Sequence, residues 1–329
     1  MILGIIVLVG LLLYFTPRVA RPGLFFGVTV DPAFVRGNAA RGIHRRYGLE
    51  IAAHSAIALA VGLTLGPAIG LLWPILGGLW AFANAHRAAM PYASAENTIR
   101  EARLEPQRED SFFATALALA PLCLLALIAW YAQSHWDQIP ERFPVHFGLR
   151  GPDAWVARSP RAVYGLIVVM GLICAFMLMT RYGLLHWSRR LAAGGVPAHA
   201  EARFRRVIAW LVIAVEYLMV ALAWVMLFAS PQAGGMLGIG MLVFTIALVF
   251  VLLRMGQGGN RAAQGGPIGD RTPDACWKWG MFYMNPNDPA LFVEKRFGIG
   301  YTLNFGNRWS WIFLLIPLLP LIVLRLYLR

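Results

Sequence analysis

Residues 111–133 read Ser-Phe-Phe-Ala-Thr-Ala-Leu-Ala-Leu-Ala-Pro-Leu-Cys-Leu-Leu-Ala-Leu-Ile-Ala-Trp-Tyr-Ala-Gln, with no Asp, Glu, Lys or Arg from Ser111 to Gln133. A helix needs about 20 apolar residues to cross a hydrocarbon core, and this block supplies them. Comparable blocks lie at about 1–15, 48–65, 68–86, 160–185, 207–229, 231–253 and 309–327, which makes eight expected spans. Composition agrees. The chain is 59% hydrophobic and only 14% charged, against about 25% charged in soluble domains. The expected fold class is an all-α polytopic membrane protein of about eight transmembrane helices.

Several boundaries carry helix-start chemistry. Ser159-Pro160 and Ser230-Pro231 each place a capping hydroxyl before a proline that the first turn tolerates, and Asp110-Ser111 precedes Phe112 in the same manner. Gly66-Pro67 is a tight break, so the second and third spans should form a hairpin. The segment Met1–Tyr14 lacks a basic n-region and a small-residue cleavage site, and with Arg18 and Arg21 after it, it reads as an uncleaved N-out anchor closed by Pro17.

Orientation follows from the arginines. With the N-terminus outside, 23 of the 29 lysines and arginines fall in inner loops, the bias that the positive-inside rule demands. The expected location is the bacterial cytoplasmic (inner) membrane, with loop 134–159 outside and loop 254–308 in the cytoplasm. The expected domains are a bundle over 1–253 carrying the outer loop, a cytoplasmic module over 254–308, and a last helix over 309–329.

The net charge of +13 is spent on short stretches beside apolar blocks. It therefore points to membrane lipids as partners rather than to nucleic acid. Cys123 and Cys174 lie in apolar blocks and Cys276 stands alone, so neither a disulfide framework nor a metal spacing is visible. The glycines at 256, 258, 259, 265, 266 and 269 lack the Lys-Ser/Thr of a phosphate loop and read as a flexible lead.

The outer loop contains Ile139-Pro-Glu-Arg-Phe-Pro-Val-His-Phe-Gly148 and Gly151-Pro-Asp-Ala-Trp-Val-Ala-Arg-Ser-Pro160. Phe143, Val145 and Phe147 alternate with Pro144, His146 and Gly148, the period of a short strand. Gly151-Pro152-Asp153 is turn chemistry. Two readings stand. In one, the loop is a recognition element with Glu141, His146, Asp153 and Trp155 as its contacts. In the other it is a rigid cap whose polar groups bond locally. A metal site from His135, Asp137, Glu141, His146 and Asp153 lacks closely paired ligand spacing, and no metal is expected.

These residues also carry a resemblance. Pro-x-x-x-Pro-x-His-Phe followed by Gly-Pro-Asp-x-Trp-x-x-Arg-Ser, over 140–159, resembles the small extracytoplasmic domain of the bacterial SdpI-type immunity proteins. The usual Asn after the His-aromatic pair is here Gly148. The last inner loop, from Trp277-Lys-Trp-Gly-Met-Phe-Tyr-Met-Asn-Pro-Asn-Asp-Pro to Thr302-Leu-Asn-Phe-Gly-Asn, is similar to an uncharacterised module found beside such domains in longer bacterial membrane proteins. The first inner loop, from Pro22-Gly-Leu-Phe-Phe-Gly-Val, is also similar to those proteins. The resemblance implies immunity to a secreted toxin or signalling of its presence. A secreted peptide outside and a cytoplasmic protein inside are the implied partners.

The last inner loop reads as β-like without that resemblance. Phe297, Ile299, Tyr301, Leu303 and Phe305 alternate with small or polar residues, as do Trp277, Trp279 and Met281. Asn285-Pro-Asn-Asp-Pro289 is a turn. Trp277, Trp279, Asn285, Asp288, Lys295, Arg296 and Asn304 are the candidate contacts of this module, with Lys278, Lys295, Arg296 and Arg308 supplying charge beside the bilayer. The module is either a small sheet packed on the bundle or a docking surface.

Glu216 is the acidic residue well inside a span, and a carboxylate in lipid is a functional candidate by default. Candidate partners are His54, Asn84, Arg181 and Thr245, of which depth favours Thr245. No Ser-His-Asp order, His-Glu-x-x-His helix or carboxylate pair is present, so neither an enzyme nor a cofactor is expected. The expected function is toxin sensing or neutralisation through the outer loop. A small proton-coupled transporter or permease using Glu216 is the rival.

Overall fold

The computed structural model describes residues 2–94, 111–148, 151–188, 198–229, 231–262, 270 and 272–327. Its helices are α1 (Ile2–Phe15), α2 (Pro32–Arg36), α3 (Asn38–Thr64), α4 (Pro67–Ala89), α5 (Phe112–Ser134), α6 (Pro160–His186), α7 (Ala198–Phe228), α8 (Pro231–Met255), α9 (Arg308–Leu315) and α10 (Leu318–Tyr327). Among the described residues, eight short strands form four two-stranded antiparallel sheets: β1 (Leu24–Phe25) with β2 (Val28–Thr29), β3 (Arg142–Gly148) with β4 (Gly151–Ala157), β5 (Trp277–Lys278) with β6 (Phe282–Tyr283), and β7 (Phe292–Glu294) with β8 (Tyr301–Leu303).

Five of these helices, α3, α5, α6, α7 and α8, are long and apolar enough to cross a membrane. Their outward faces are apolar too. Leu63, Leu119, Leu127, Trp130, Ile239, Val243 and Ile246 are all exposed. Apolar surface on that scale, on helices that satisfy their own backbone groups, is what lipid solvates. The chain is a helical, multi-pass membrane protein.

The chain divides into two compact units. The first holds Met1–Arg103, Arg189–Phe204 and Leu252–Asn307. Here α3 and α4 form the expected hairpin, turning at Gly66, whose φ of +106° excludes a side chain without strain. A Cβ on Gly70 would stand 2.5 Å from the Gly62 backbone, so the two helices touch through small residues, as membrane helices do. The turn of β1–β2 has positive φ at Phe26 and Gly27, the two-residue geometry that matches strand twist. The β1–β2 hairpin packs Phe25, Phe26 and Val28 into one cluster with Tyr47, Phe82 and Met281. The first and last loops of the chain therefore fold as one body.

The second unit holds Leu104–Ser188, Arg205–Val251 and Arg308–Arg329. Ser111 and Ser159 cap α5 and α6 as expected, accepting from Ala114 N and Ala162 N at 3.1 Å each. The proposed caps at Asp110 and Ser230 lie outside the described residues. The β3–β4 hairpin buries Phe143 in a cluster with Ile139 before it, Leu125 and Ile128 of α5, Leu166 of α6 and Leu227 of α7.

Three expectations need correction. Gly151-Pro152-Asp153, read as a turn, instead opens β4, with Gly151 and Pro152 paired to Gly148 and Phe147. The last span, read as one helix over 309–327, is two helices, α9 and α10, separated at Ile316-Pro317; proline lacks the amide that would continue the ladder. The strand read across 297–305 is only Tyr301–Leu303. Gly298 and Gly300 have φ of +81° and +109°, so the backbone turns where side-chain alternation suggested a straight strand.

Candidate functional sites

On β3–β4, each strand supplies one half of an exposed pair. His146 Nδ1 lies 2.5 Å from Asp153 Oδ1, with the side chains 69% and 53% exposed. The pairing shifts register on both sides of His146, and a bulge of this kind re-aims a side chain. Trp155 is 40% exposed, and the Glu141 side chain is exposed as well. Arg158 fastens the base of the hairpin: its amide donates to Glu141 O at 2.7 Å, and Nη1 donates to the carbonyls of Trp136 and Ile139 at 3.0 and 2.7 Å. His135, weighed above as a metal ligand, stacks instead on Tyr131, with ring centroids 4.0 Å apart. The hairpin is thus fixed at its base and along its inner face, and displays His146, Asp153 and Trp155 outward.

Deeper in the same unit, Glu216 is 0% exposed, and neither carboxyl oxygen has a hydrogen-bond partner among the described residues. It lies three residues on from Ile213 and seven on from Ala209, so all three share one buried face of α7. Cys174 of α6 approaches its backbone carbonyl at 3.7 Å, and Arg181 is the charge within electrostatic reach of its carboxyl. Thr245, favoured above as the partner, is not one: its hydroxyl donates to Met241 O of its own helix at 2.8 Å. A threonine mid-helix commonly turns its hydroxyl back on the preceding turn. His54 belongs to the first unit, where Gly77 of α4 leaves room for its ring. Asn84 donates to Glu50 at 3.0 Å.

The loop over 254–308 is organised around Arg296, which the sequence reading placed among the charges beside the bilayer. That reading is overturned, because the side chain is fully buried. Nε and Nη2 clasp both oxygens of Asp270 at 2.7 Å each; Nη1 reaches Asp274 Oδ1 at 2.6 Å and the Gly27 carbonyl at 2.7 Å. Nη2 also donates to Thr272 O at 2.6 Å. All five guanidinium hydrogens have acceptors, which is the condition for holding such a group out of water. Burial opposes the charges of both partners. The Arg296 guanidinium and the Thr272 bonds still hold the Asp270 carboxyl below its usual range, and Asp270 and Asp274 hold Arg296 above its own.

Around this centre, Asp274 accepts from the Thr29 amide and hydroxyl at 3.1 and 2.9 Å. Arg21 and Glu294 form a second buried ion pair. Trp277 is buried and lies 5.1 Å from the Arg296 guanidinium, with Nε1 donating to Thr272 at 2.7 Å. Asn304 bridges Asn285 and Asp288, and Tyr283 donates to Asp288 at 2.9 Å. These residues build the module. Trp279, 61% exposed, faces outward, while Lys295 is held below its usual range by burial.

Sequence reading did not single out Arg21, Asp270, Asp274 and Glu294. One signal was available. The loop carries four of the chain's 16 acids, Asp270, Asp274, Asp288 and Glu294, more than a purely lipid-facing basic surface would use.

Two segments match families of known sequence pattern. Residues 122–171 match a domain of unknown function (DUF1648), common in membrane proteins, and 286–311 match a family of unknown function (DUF5808). The first segment takes in the end of α5, the β3–β4 hairpin and the start of α6. The second takes in β7, β8 and the start of α9. No curated protein and no solved structure matches the chain.

Proposed function

We propose that the chain is a bacterial cytoplasmic-membrane protein of about eight spans that senses or neutralises a secreted peptide toxin, in the manner of SdpI-type immunity proteins. The β3–β4 hairpin faces outside, and the module around Arg296 faces the cytoplasm. One observation supports this reading above the rest. The inner face of the hairpin is continuous with the core of α5, α6 and α7, while His146, Asp153 and Trp155 point away from it. A ligand seated on those three residues would press on a packed core, and packed cores respond by repacking rather than by bending locally. A loop held this firmly also loses little entropy when it binds.

A second reading has its own observation. A wholly buried carboxyl with no hydrogen-bond partner among the described residues suits a proton carrier, so a small proton-coupled permease is the rival. A strain lacking the protein, complemented with variants at equal membrane levels and challenged with secreted peptide toxins, separates the two. Loss of survival with Trp155→Ala or Asp153→Ala and none with Glu216→Gln supports sensing. The opposite pattern supports transport and overturns the sensing reading.

A further inference from the structure

Two hairpins of the first unit close on the same kind of turn. In β1–β2 it is Phe26-Gly27, with φ of +47° and +76°; in β5–β6 it is Trp279-Gly280, with φ of +53° and +71°. Met281 N donates to Lys278 O at 3.2 Å across the second turn. Among the described residues, Phe26 and Trp279 are the ones other than glycine with positive φ. Such turns ordinarily take Asn, Asp or Gly at the first central position. A bulky side chain there holds the backbone in a conformation it disfavours.

The two aromatic residues differ in what offsets that cost. Phe26 is buried, and its ring meets His44 and Tyr47 of α3 and Phe82 of α4. Trp279 is largely exposed, and of the aromatic rings among the described residues it meets the edge of Phe282, with centroids 6.0 Å apart. The turn beneath it is tightly held. A Cβ on Gly280 would stand 2.7 Å from the Phe26 carbonyl oxygen and 2.6 Å from His86 Nδ1. A strained backbone persists where its surroundings over-determine it, and here it presents an indole that the chain leaves largely uncovered.

The same contacts fix the depth of the turn. Helix α3 is long and apolar enough to cross a membrane. Its exposed arginines, Arg41, Arg45 and Arg46, lie in its first turns, and no Asp, Glu, Lys or Arg follows Glu50 within it. Phe26 meets this helix at His44 and Tyr47, within a turn or two of that changeover. On α4, His86 directly precedes Arg87, and no such charge lies between Pro67 and His86. Both helices therefore set the turn at the boundary between apolar and charged surface, where indole rings collect in membranes. Lys278 next to it is also exposed, and a cation at that depth is attracted by anionic headgroups.

We propose that the β5–β6 turn is an interfacial anchor, with Trp279 seated in the headgroup layer of the bilayer that α3 crosses and Lys278 facing the anionic phosphates. An indole suits that layer because its body is apolar while its N–H stays wet. The proposal rests on α3 as a span and not on which leaflet the turn meets.

The test places the full chain in nanodiscs of dioleoylphosphatidylglycerol and dioleoylphosphatidylcholine. The emission of Trp279 is taken as the difference between wild type and Trp279→Phe. Lipid brominated high on its acyl chains should quench at least half of that difference, and aqueous acrylamide should quench it less. Difference emission quenched more by acrylamide than by brominated lipid would overturn the proposal, and is what a cytoplasmic protein as the partner of Trp279 would give.

Melting in the same nanodiscs supplies a reading independent of fluorescence. Asn suits the first central position of this turn, so Trp279→Asn relieves the backbone. It should nonetheless melt a few degrees below wild type, because the anchor is lost. A melting temperature at or above that of wild type would show that the strained Trp gains nothing from the bilayer, and the proposal would fall. Either leaflet gives the expected results, so an error in the topology proposed above leaves them standing, and their failure leaves that topology untouched.

Discussion

Arg296 Nη1 donates to the carbonyl oxygen of Gly27 at 2.7 Å, across 269 residues of sequence. Through that bond and its neighbours, the loop after the first helix and the loop before the last pair of helices become one module. A Cβ on Gly27 would lie 2.5 Å from the carbonyl oxygen of Gly280, so the two hairpin turns touch backbone to backbone. His86 of α4 closes the arrangement, with Nδ1 2.9 Å from Phe26 O.

Removing the guanidinium should therefore damage more than one loop. Arg296→Met leaves Asp270 and Asp274 buried without their counter-charge, a loss of about 3–5 kcal/mol for a broken buried pair. Arg296→Lys should not rescue it, because an ammonium cannot clasp both oxygens of Asp270 while reaching Gly27. Thermal unfolding of purified variants checks this, and a melting temperature within a degree of wild type for Arg296→Met would contradict it.

The same network sets a pH response with a definite sign. The Asp270 carboxyl is held below its usual range in the fold, so its contribution is present above the unfolded value of about 3.9. That contribution is lost as pH falls through the lower, folded value. The module should lose stability in acid below about pH 4, and Asp270→Asn should be less stable than wild type at neutral pH with a flatter acid limb. Lys295 acts with the opposite sign. Burial lowers its folded value, so its charge costs stability at neutral pH and the cost fades as pH rises. Lys295→Met should raise the melting temperature at pH 7, and melting curves from pH 3 to 10 read both effects.

In the β3–β4 hairpin, core and display residues should separate cleanly. Phe143→Ala empties a buried position and should cost about 3–5 kcal/mol. Trp155→Ala removes a partly exposed ring and should change stability by about 0.5 kcal/mol. Under the sensing reading only the second should impair survival without reducing the amount of folded protein. Quantitative membrane blots beside the challenge assay make the comparison.

For Glu216, the neutral isostere and the opposite charge should diverge. Glu216→Gln keeps the shape and should preserve melting and expression. Glu216→Lys places a charge in a buried face of α7, at roughly 3 kcal/mol near a helix centre. Equal stability of the two variants would mean that the position reaches water.

Much of this architecture is legible in the sequence, and the reasons are physical. Lipid solvates apolar side chains all round a helix, so spans appear as unbroken blocks such as 111–133 that need no partner to be recognised. Strand β3 is legible because Phe143, Val145 and Phe147 alternate, whereas β4 is not, because the Gly151-Pro152-Asp153 that opens it carries the residues of a turn. Arg296 is different: a buried arginine and a lipid-facing one look alike in sequence, and its acceptors come from Gly27, Asp270, Thr272 and Asp274. The α9–α10 break was available at Pro317 but was hidden by apolar residues on both sides. Glu216 was found by its isolation in an apolar run, whereas its surroundings depend on how α6 and α7 pack.

The placement of the hairpin outside and the module inside underlies the sensing account, and it can be measured directly. In a background with Cys123, Cys174 and Cys276 replaced by serine, single cysteines are placed at Ala157 on β4 and at Lys278 on β5, both exposed. Intact cells are treated with a membrane-impermeant maleimide, with and without prior permeabilisation. The account predicts that Ala157→Cys reacts in intact cells and that Lys278→Cys reacts only after permeabilisation. Labelling of both in intact cells, or of Lys278→Cys alone, would contradict it.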